Sequence, residues 1–401
     1  MQNVNSGNLP QTAEQSPPDR GERRLAPDVL RVAAMAFIIL HHLTINNIGL
    51  SDVRYGGADG IFYAASFLDG FFVIGVNIFF LLSGYLKITL RLSKILSLLL
   101  KVFVIGCISV ALAAALGVAD YGGVWDAVLS CLTFAFEHWF VYVYIGICLL
   151  SPLLNTFAEK LGGRGAGYFV GTALFLLCFA AFGADYIYVA GSVGGLPDVS
   201  LLGTNAGYSI LWGCTLYLFG RLMAVHGFAF RRRVRFWTLG FVISSVALGG
   251  ITAMLIAFGC NSFAWWFIYC YNNPLQLFSA VSLFCLCMHV RAPSGGGAAK
   301  IGAVVSFAAK HSFTAYIIHS DNPLFSPYRA FLLDIVPGVW ADLLVLLPSA
   351  VIIFAVGVAV SYLYDITLGR PLKAFSLFSE RVLLSAGRKV CAAIGRAFAK
   401  K

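Results

Sequence analysis

The chain has 401 residues, 59% of them hydrophobic and 11% charged, with a formal net charge of +10. Soluble domains carry about 25% charged residues. The mean hydropathy is +0.84, so the composition excludes a soluble globular protein and specifies an integral membrane one. The basic excess raises nucleic acid as a partner. The basic residues follow membrane topology instead, so the expected partner is a lipid bilayer and no nucleic acid.

Residues 1–27 are polar and Pro-containing, with no apolar core, and read as a disordered cytoplasmic tail. Beyond them, apolar runs of about 20 residues, enough to cross the hydrocarbon core, recur almost to the end of the chain. They predict ten transmembrane helices near 29–50, 67–86, 95–117, 136–157, 166–183, 204–222, 237–258, 274–290, 301–319 and 341–364. The fold class is an all-α integral membrane protein, a polytopic bundle of about ten transmembrane helices in one domain over 28–366. In the remainder, 367–401, Val382, Leu383, Ala386, Val390, Ala393 and Ile394 share one helical face, with Arg and Lys mostly elsewhere. That segment reads as a basic amphipathic cytoplasmic tail lying on the anionic inner leaflet.

With the N-terminus inside, 23 of the 28 basic residues fall on the cytoplasmic side and only Arg54 and Arg329 outside. Arg31, Lys101 and Lys310 remain within spans. This positive-inside pattern predicts that both termini are cytoplasmic. The ten cysteines include no CxxC pair and lie mostly in apolar runs, so they read as packing residues. Neither a metal site nor a disulfide framework is expected.

The first span contains "RVAAMAFIILHH", Arg31 to His42. An ionisable side chain at the bilayer centre costs about 2.5–3.5 kcal/mol even on the lenient insertion scale, and such groups are commonly functional. Arg31 and His42 differ by about 20° in helical azimuth and about 16 Å in rise, so they share one face. His41 points about 80° away and reads as a local packing contact. Two readings of the stripe stay open. It forms a polar path from an arginine at the mouth to a histidine deep inside, or Arg31 snorkels to the headgroups while His42 bonds a neighbouring helix.

The second span reads "GVNIFFLLSGYL" and is followed by the basic run "KITLRLSK". Together with Arg31-x10-His42, this resembles the membrane acyltransferase 3 family, integral O-acyltransferases of bacterial cell-surface glycans. The resemblance rests on Arg31, His42, Phe79, Phe80, Ser83, Gly84 and Tyr85, with weaker likeness in "HWFVYVYIGICLLSPLL" from His138 and "FTAYIIHS" from Phe313. It spans roughly 30 to 365. One departure is Arg91-x-x-Lys94 where the family has Arg-x-x-Arg; lysine keeps the charge and loses the planar fork.

The resemblance implies acyl-CoA, commonly acetyl-CoA, as a donor substrate, no permanently bound cofactor, and a carbohydrate or glycolipid hydroxyl as acceptor. It also implies a multi-pass protein of the bacterial cell membrane. Acyl transfer to a hydroxyl needs a proton acceptor, and histidine titrates near neutral pH. His42 is therefore expected to act as general base or as a transient acyl carrier, with Arg31 orienting it or stabilising charge. Lys87, Arg91 and Lys94 are expected to hold the donor's phosphates. Glu137, His138, Tyr316 and His319 lie near the outer ends of their spans, where an acceptor would meet them. The competing reading is a secondary transporter or lipid-linked glycan flippase, although spans 1–5 and 6–10 show no internal repeat.

Overall fold

The computed structural model describes residues 25–46, 48–55, 60–191, 203–228, 232–289, 296–320 and 341–398. The tail expected over 1–27 lies outside the described residues up to 24, and helix begins at Leu25. Every regular element among the described residues is helical. The first three are α1 (Leu25–Asn46), α2 (Gly60–Phe72) and α3 (Gly75–Tyr85). They are followed by α4 (Leu92–Ala115), α5 (Val124–Glu137) and α6 (Trp139–Lys160). Next, α7 (Gly163–Ala173) and α8 (Ala181–Gly191) are joined through a π-helical stretch, Leu174–Ala180. The second half holds α9 (Ile210–His226), α10 (Val234–Ala257), α11 (Asn261–Tyr269) and α12 (Pro274–Met288). The last are α13 (Gly296–His311), α14 (Phe313–His319), α15 (Ala341–Thr367) and α16 (Gly369–Phe398).

Among the described residues, seven helical segments are long and apolar enough to cross a membrane, and α13 with α14, bent by 49°, makes an eighth if the pair is one span. The protein is therefore an all-α membrane protein, but the structure does not support a count of about ten. Every expected span meets a helix. The two that fall short are α9, with 17 residues, and α12, with 15. Their apolar sequence windows run on into non-helical chain, and both helices bury most of their side chains inside the bundle. Apolar composition there reflects protein packing rather than lipid contact.

Close helix approach sets the centre of the bundle. At the crossing of α3 and α9, a Cβ on Gly84 would lie 1.8 Å from the Tyr217 carbonyl oxygen, and one on Gly220 1.9 Å from that of Leu81. Only glycine at both positions lets the two backbones touch. In α6, Pro152 cannot donate to the Cys148 carbonyl, and Ser151 Oγ supplies that bond instead at 2.8 Å. The helix thus continues without an orphaned acceptor.

The segment expected as a surface tail is the helix α16, packed against α4. The Glu380 carboxylate accepts from the Ser93 hydroxyl and from the Ser93 and Leu92 N–H groups. It caps α4, whose own N-cap residue Arg91 makes no side-chain cap bond. Phe378, Val382, Leu383 and Val390 stay exposed on α16.

Candidate active site around His42

Helix α1 builds one wall of the site. Arg31, Met35, Ile38 and His42 recur at helical spacing on one stripe, as the sequence predicts. Arg31 Nη1 donates to Asp28 Oδ1 at 3.0 Å, and the other Asp28 oxygen accepts from Ser306 Oγ at 2.6 Å. This pair fixes the start of the guanidinium while its remaining donors have no partner among the described residues.

At the other end of the stripe, His42 lines a small cavity. The walls are Met35 and Ile38 from α1, Val76 and Phe79 from α3, and Trp139 and Phe140 from α6. Tyr271, Phe313 and Tyr316 complete it. The chamber is therefore mostly hydrocarbon, with His42 its one imidazole. Nδ1 of His42 lies 3.0 Å from Nε2 of His319, whose Nδ1 in turn donates to the Ala315 carbonyl.

The remaining expected residues divide sharply. Tyr316 lies beside His42, His138 and His319, with ring centroids 6.4, 5.5 and 6.2 Å away. His138 occupies the break between α5 and α6, and its Nδ1 donates to the Phe134 carbonyl at 2.8 Å. Its Nε2 is buried with no hydrogen-bond partner among the described residues. Glu137, one residue earlier, is exposed on α5, next to Thr133 Oγ1 at 3.4 Å. It does not join the chamber, because the break at His138 turns the two neighbours in different directions.

The Ser-Gly-Tyr motif is chiefly a packing device. Phe80 stacks on Phe140 at 4.9 Å, Ser83 Oγ returns to the Phe79 carbonyl, and Tyr85 sets its edge against Phe284. Gly84 makes the α3–α9 crossing, and Phe79 alone of the five lines the cavity.

The basic loop after α3 is held firmly. Ile88 N–H donates to the Tyr217 hydroxyl, Asn155 donates to the Ile88 carbonyl, and Tyr217 donates to Asn155. Lys87 adopts a left-handed φ of 59° and pairs with Glu159 at 2.8 Å, which Arg221 also reaches at 2.6 Å. Arg91 and Lys94 are exposed, with Arg91 near Glu380. Lys87 is thus committed to a protein carboxylate, whereas Arg91 and Lys94 face outward.

Sequence reasoning missed Asp69. Its carboxylate oxygens lie 2.8 and 3.0 Å from His41 Nδ1, with both side chains sealed from solvent. The available signal was an acidic residue inside the second apolar run. His41, expected to make a local packing contact, makes a buried ion-pair-type bond across two helices instead.

A membrane-length helical bundle that shelters one histidine in an apolar chamber, beneath a stripe headed by arginine, has the makings of a membrane-embedded transferase. The sequence model of the acyltransferase 3 family, described as an acyltransferase domain, matches residues 24–365, and the chain belongs to that family. It is a multi-pass membrane acyltransferase. Neither the curated proteins nor the solved structures contain a match to it.

Proposed function

We propose that the protein transfers a short acyl group, in the first instance acetyl, from acyl-CoA to a hydroxyl of a cell-envelope carbohydrate or glycolipid. The observation that carries this reading is His42, placed in the apolar chamber with Nε2 free of any hydrogen bond among the described residues. In the step proposed, Nε2 takes the proton of the acceptor hydroxyl as its oxygen attacks the thioester carbonyl carbon. The C–S bond then breaks, and the thiolate leaves as free CoA after receiving that proton from His42. In the variant where His42 is the acyl carrier, its Nε2 attacks the thioester carbon, the C–S bond breaks and the CoA thiolate leaves. The acceptor hydroxyl oxygen then attacks the acyl-imidazole carbon, the C–N bond breaks, and the hydroxyl proton passes to the thiolate to give free CoA.

The donor enters at the Arg31 end, which the positive-inside distribution assigns to the cytoplasm together with both termini. The rise from Arg31 to His42, about 16 Å, suits an extended pantetheine arm with its phosphates outside. Arg31, Arg91 and Lys94 hold those phosphates, and Lys87 holds the loop through Glu159. Tyr316, His138 and Trp139 face the acceptor. The short buried helices α9 and α12 complete a ten-pass topology, because helices enclosed by protein need not match the full hydrocarbon thickness. The cell membrane is bacterial in this reading.

The experiment is release of CoA thiol from acetyl-CoA by the purified protein, joined to mass spectrometry of surface glycans with and without the gene. His42→Ala should lower turnover by about 10²–10⁴-fold, the range for loss of a general base. Full activity in that variant would overturn the reading and favour a transporter or flippase.

A further inference from the structure

We infer that His319 is a positioning residue that dictates which ring nitrogen of His42 carries the proton. The inference rests on the reading of His42 as the group that handles the acceptor's proton. It follows from a count of donors and acceptors. The Ala315 carbonyl can only accept, so the His319 Nδ1 bonded to it carries a hydrogen. A neutral imidazole has one N–H, which leaves His319 Nε2 as a lone-pair acceptor. That nitrogen faces His42 Nδ1 at 3.0 Å. A hydrogen bond between them requires His42 Nδ1–H as the donor.

His42 is thereby held in the tautomer whose Nε2 has a lone pair. The opposite tautomer would present an N–H to the chamber and could not accept a proton. The ordering therefore runs from a backbone carbonyl, through His319, to the reactive nitrogen. When Nε2 takes the acceptor's proton, the Nδ1–H···Nε2 bond becomes charge-assisted, and such bonds are roughly twice as strong as neutral ones. His319 supports the step without touching substrate.

The scaffold suits that role. Ala315 and Ile317 are fully buried and His319 is 2% exposed, so α14 holds the ring against α1. His138 has its own Nδ1 fixed by the Phe134 carbonyl, but no nitrogen of His42 or His319 is bonded to it among the described residues. The tautomer of His42 is set by His319 alone of the nearby imidazoles.

Nitrogen-15 NMR of histidine-labelled protein in detergent tests this directly, since the chain has only seven histidines. His42 should show the Nδ1–H tautomer in the wild type. It should keep that state in His319→Gln, whose side-chain carbonyl can accept in the same place, and lose it in His319→Phe. With acetyl-CoA as probe, His319→Phe should lower kcat by about 10²-fold or more with donor KM unchanged, and His319→Gln should recover most of the loss. A wild-type His42 in the Nε2–H tautomer would overturn the inference, even where His319→Phe fails to fold. So would persistence of Nδ1–H in folded His319→Phe. Normal turnover in His319→Phe beside an inactive His42→Ala would overturn this inference alone, whereas an active His42→Ala would remove the reading beneath it.

Discussion

His41 Nδ1 contacts both carboxylate oxygens of Asp69, at 2.8 and 3.0 Å, in a place where neither side chain meets solvent. The neighbouring His42 instead lines a cavity and bonds another imidazole. Two adjacent residues of one type are thus assigned, by a turn of about 100°, to different tasks. One ties α1 to α2, and the other meets the chamber.

The first prediction follows from that contrast. Breaking a buried pair by removing one partner costs about 3–5 kcal/mol, because the other group is left uncompensated. His41→Ala should therefore reduce thermal stability and yield of folded protein, measured by fluorescence-detected size exclusion. Asp69→Asn, which keeps an acceptor oxygen for His41, should be milder. His42→Ala should fold with near wild-type stability and lose activity. Equal destabilisation by both histidine variants would refute the division of roles.

The second prediction concerns the α3–α9 crossing. A methyl group on Gly84 would meet the Tyr217 carbonyl at 1.8 Å, and backbone atoms cannot swing aside as a side-chain tip can. Gly84→Ala should destabilise by at least the 1–3 kcal/mol, roughly, of ordinary overpacking, read as a lowered Tm in detergent. A Tm within a degree or so of wild type would show that the helices separate freely at this point.

The donor loop gives a third. Arg91→Ala combined with Lys94→Ala should raise the apparent KM for acetyl-CoA by about tenfold, since bonds to charged groups contribute about 1.5–3 kcal/mol. Lys87→Ala should act differently, by loosening the loop at Glu159, and should lower stability more than donor affinity. If the double variant lost kcat at constant KM, these charges would belong to chemistry rather than to donor capture.

A fourth prediction is pH-dependent. The Ser93 hydroxyl, then the N–H groups of Ser93 and Leu92, hold the Glu380 carboxyl below its ordinary range. A lowered folded-state value means that its contribution to docking is complete above the usual glutamate value of about 4.3 and is lost as pH falls through the lowered one. Spin labels on α4 and α16 should report separation only in that acid range, and Glu380→Gln should separate them at neutral pH. Unchanged distances at all pH values in both proteins would assign the docking to apolar packing instead.

The parts legible in the sequence were those governed by local period or bulk composition. Apolar windows placed every membrane helix, and a spacing of eleven residues placed Arg31 and His42 on one face. The partnership of His42 with His319 spans 277 residues, and no periodicity connects positions on separate helices. His138 and Tyr316 were expected near an acceptor, but their convergence on His42 needed the break at His138 and the bend at Ser312. Glu137 stays exposed on α5 for the same reason. Hydropathy responds equally to lipid and to protein surroundings, so it could not show that α9 and α12, enclosed by other helices, fall short of membrane length. Lys87 carries the charge expected of a phosphate ligand, but Glu159, over seventy positions away, takes that charge.

The bend between α13 and α14 has a consequence for how the chain can vary. Phe313, Tyr316 and His319 are carried on one seven-residue rod that begins immediately after the bend. Adding or deleting a single residue within 313–319 would turn everything beyond it by about 100°. His319 would then leave His42 while Phe313 stayed in the wall. The length of this rod is therefore frozen. Insertions that reshape the chamber cannot enter between Ser312 and Ser320 without moving His319 away from His42.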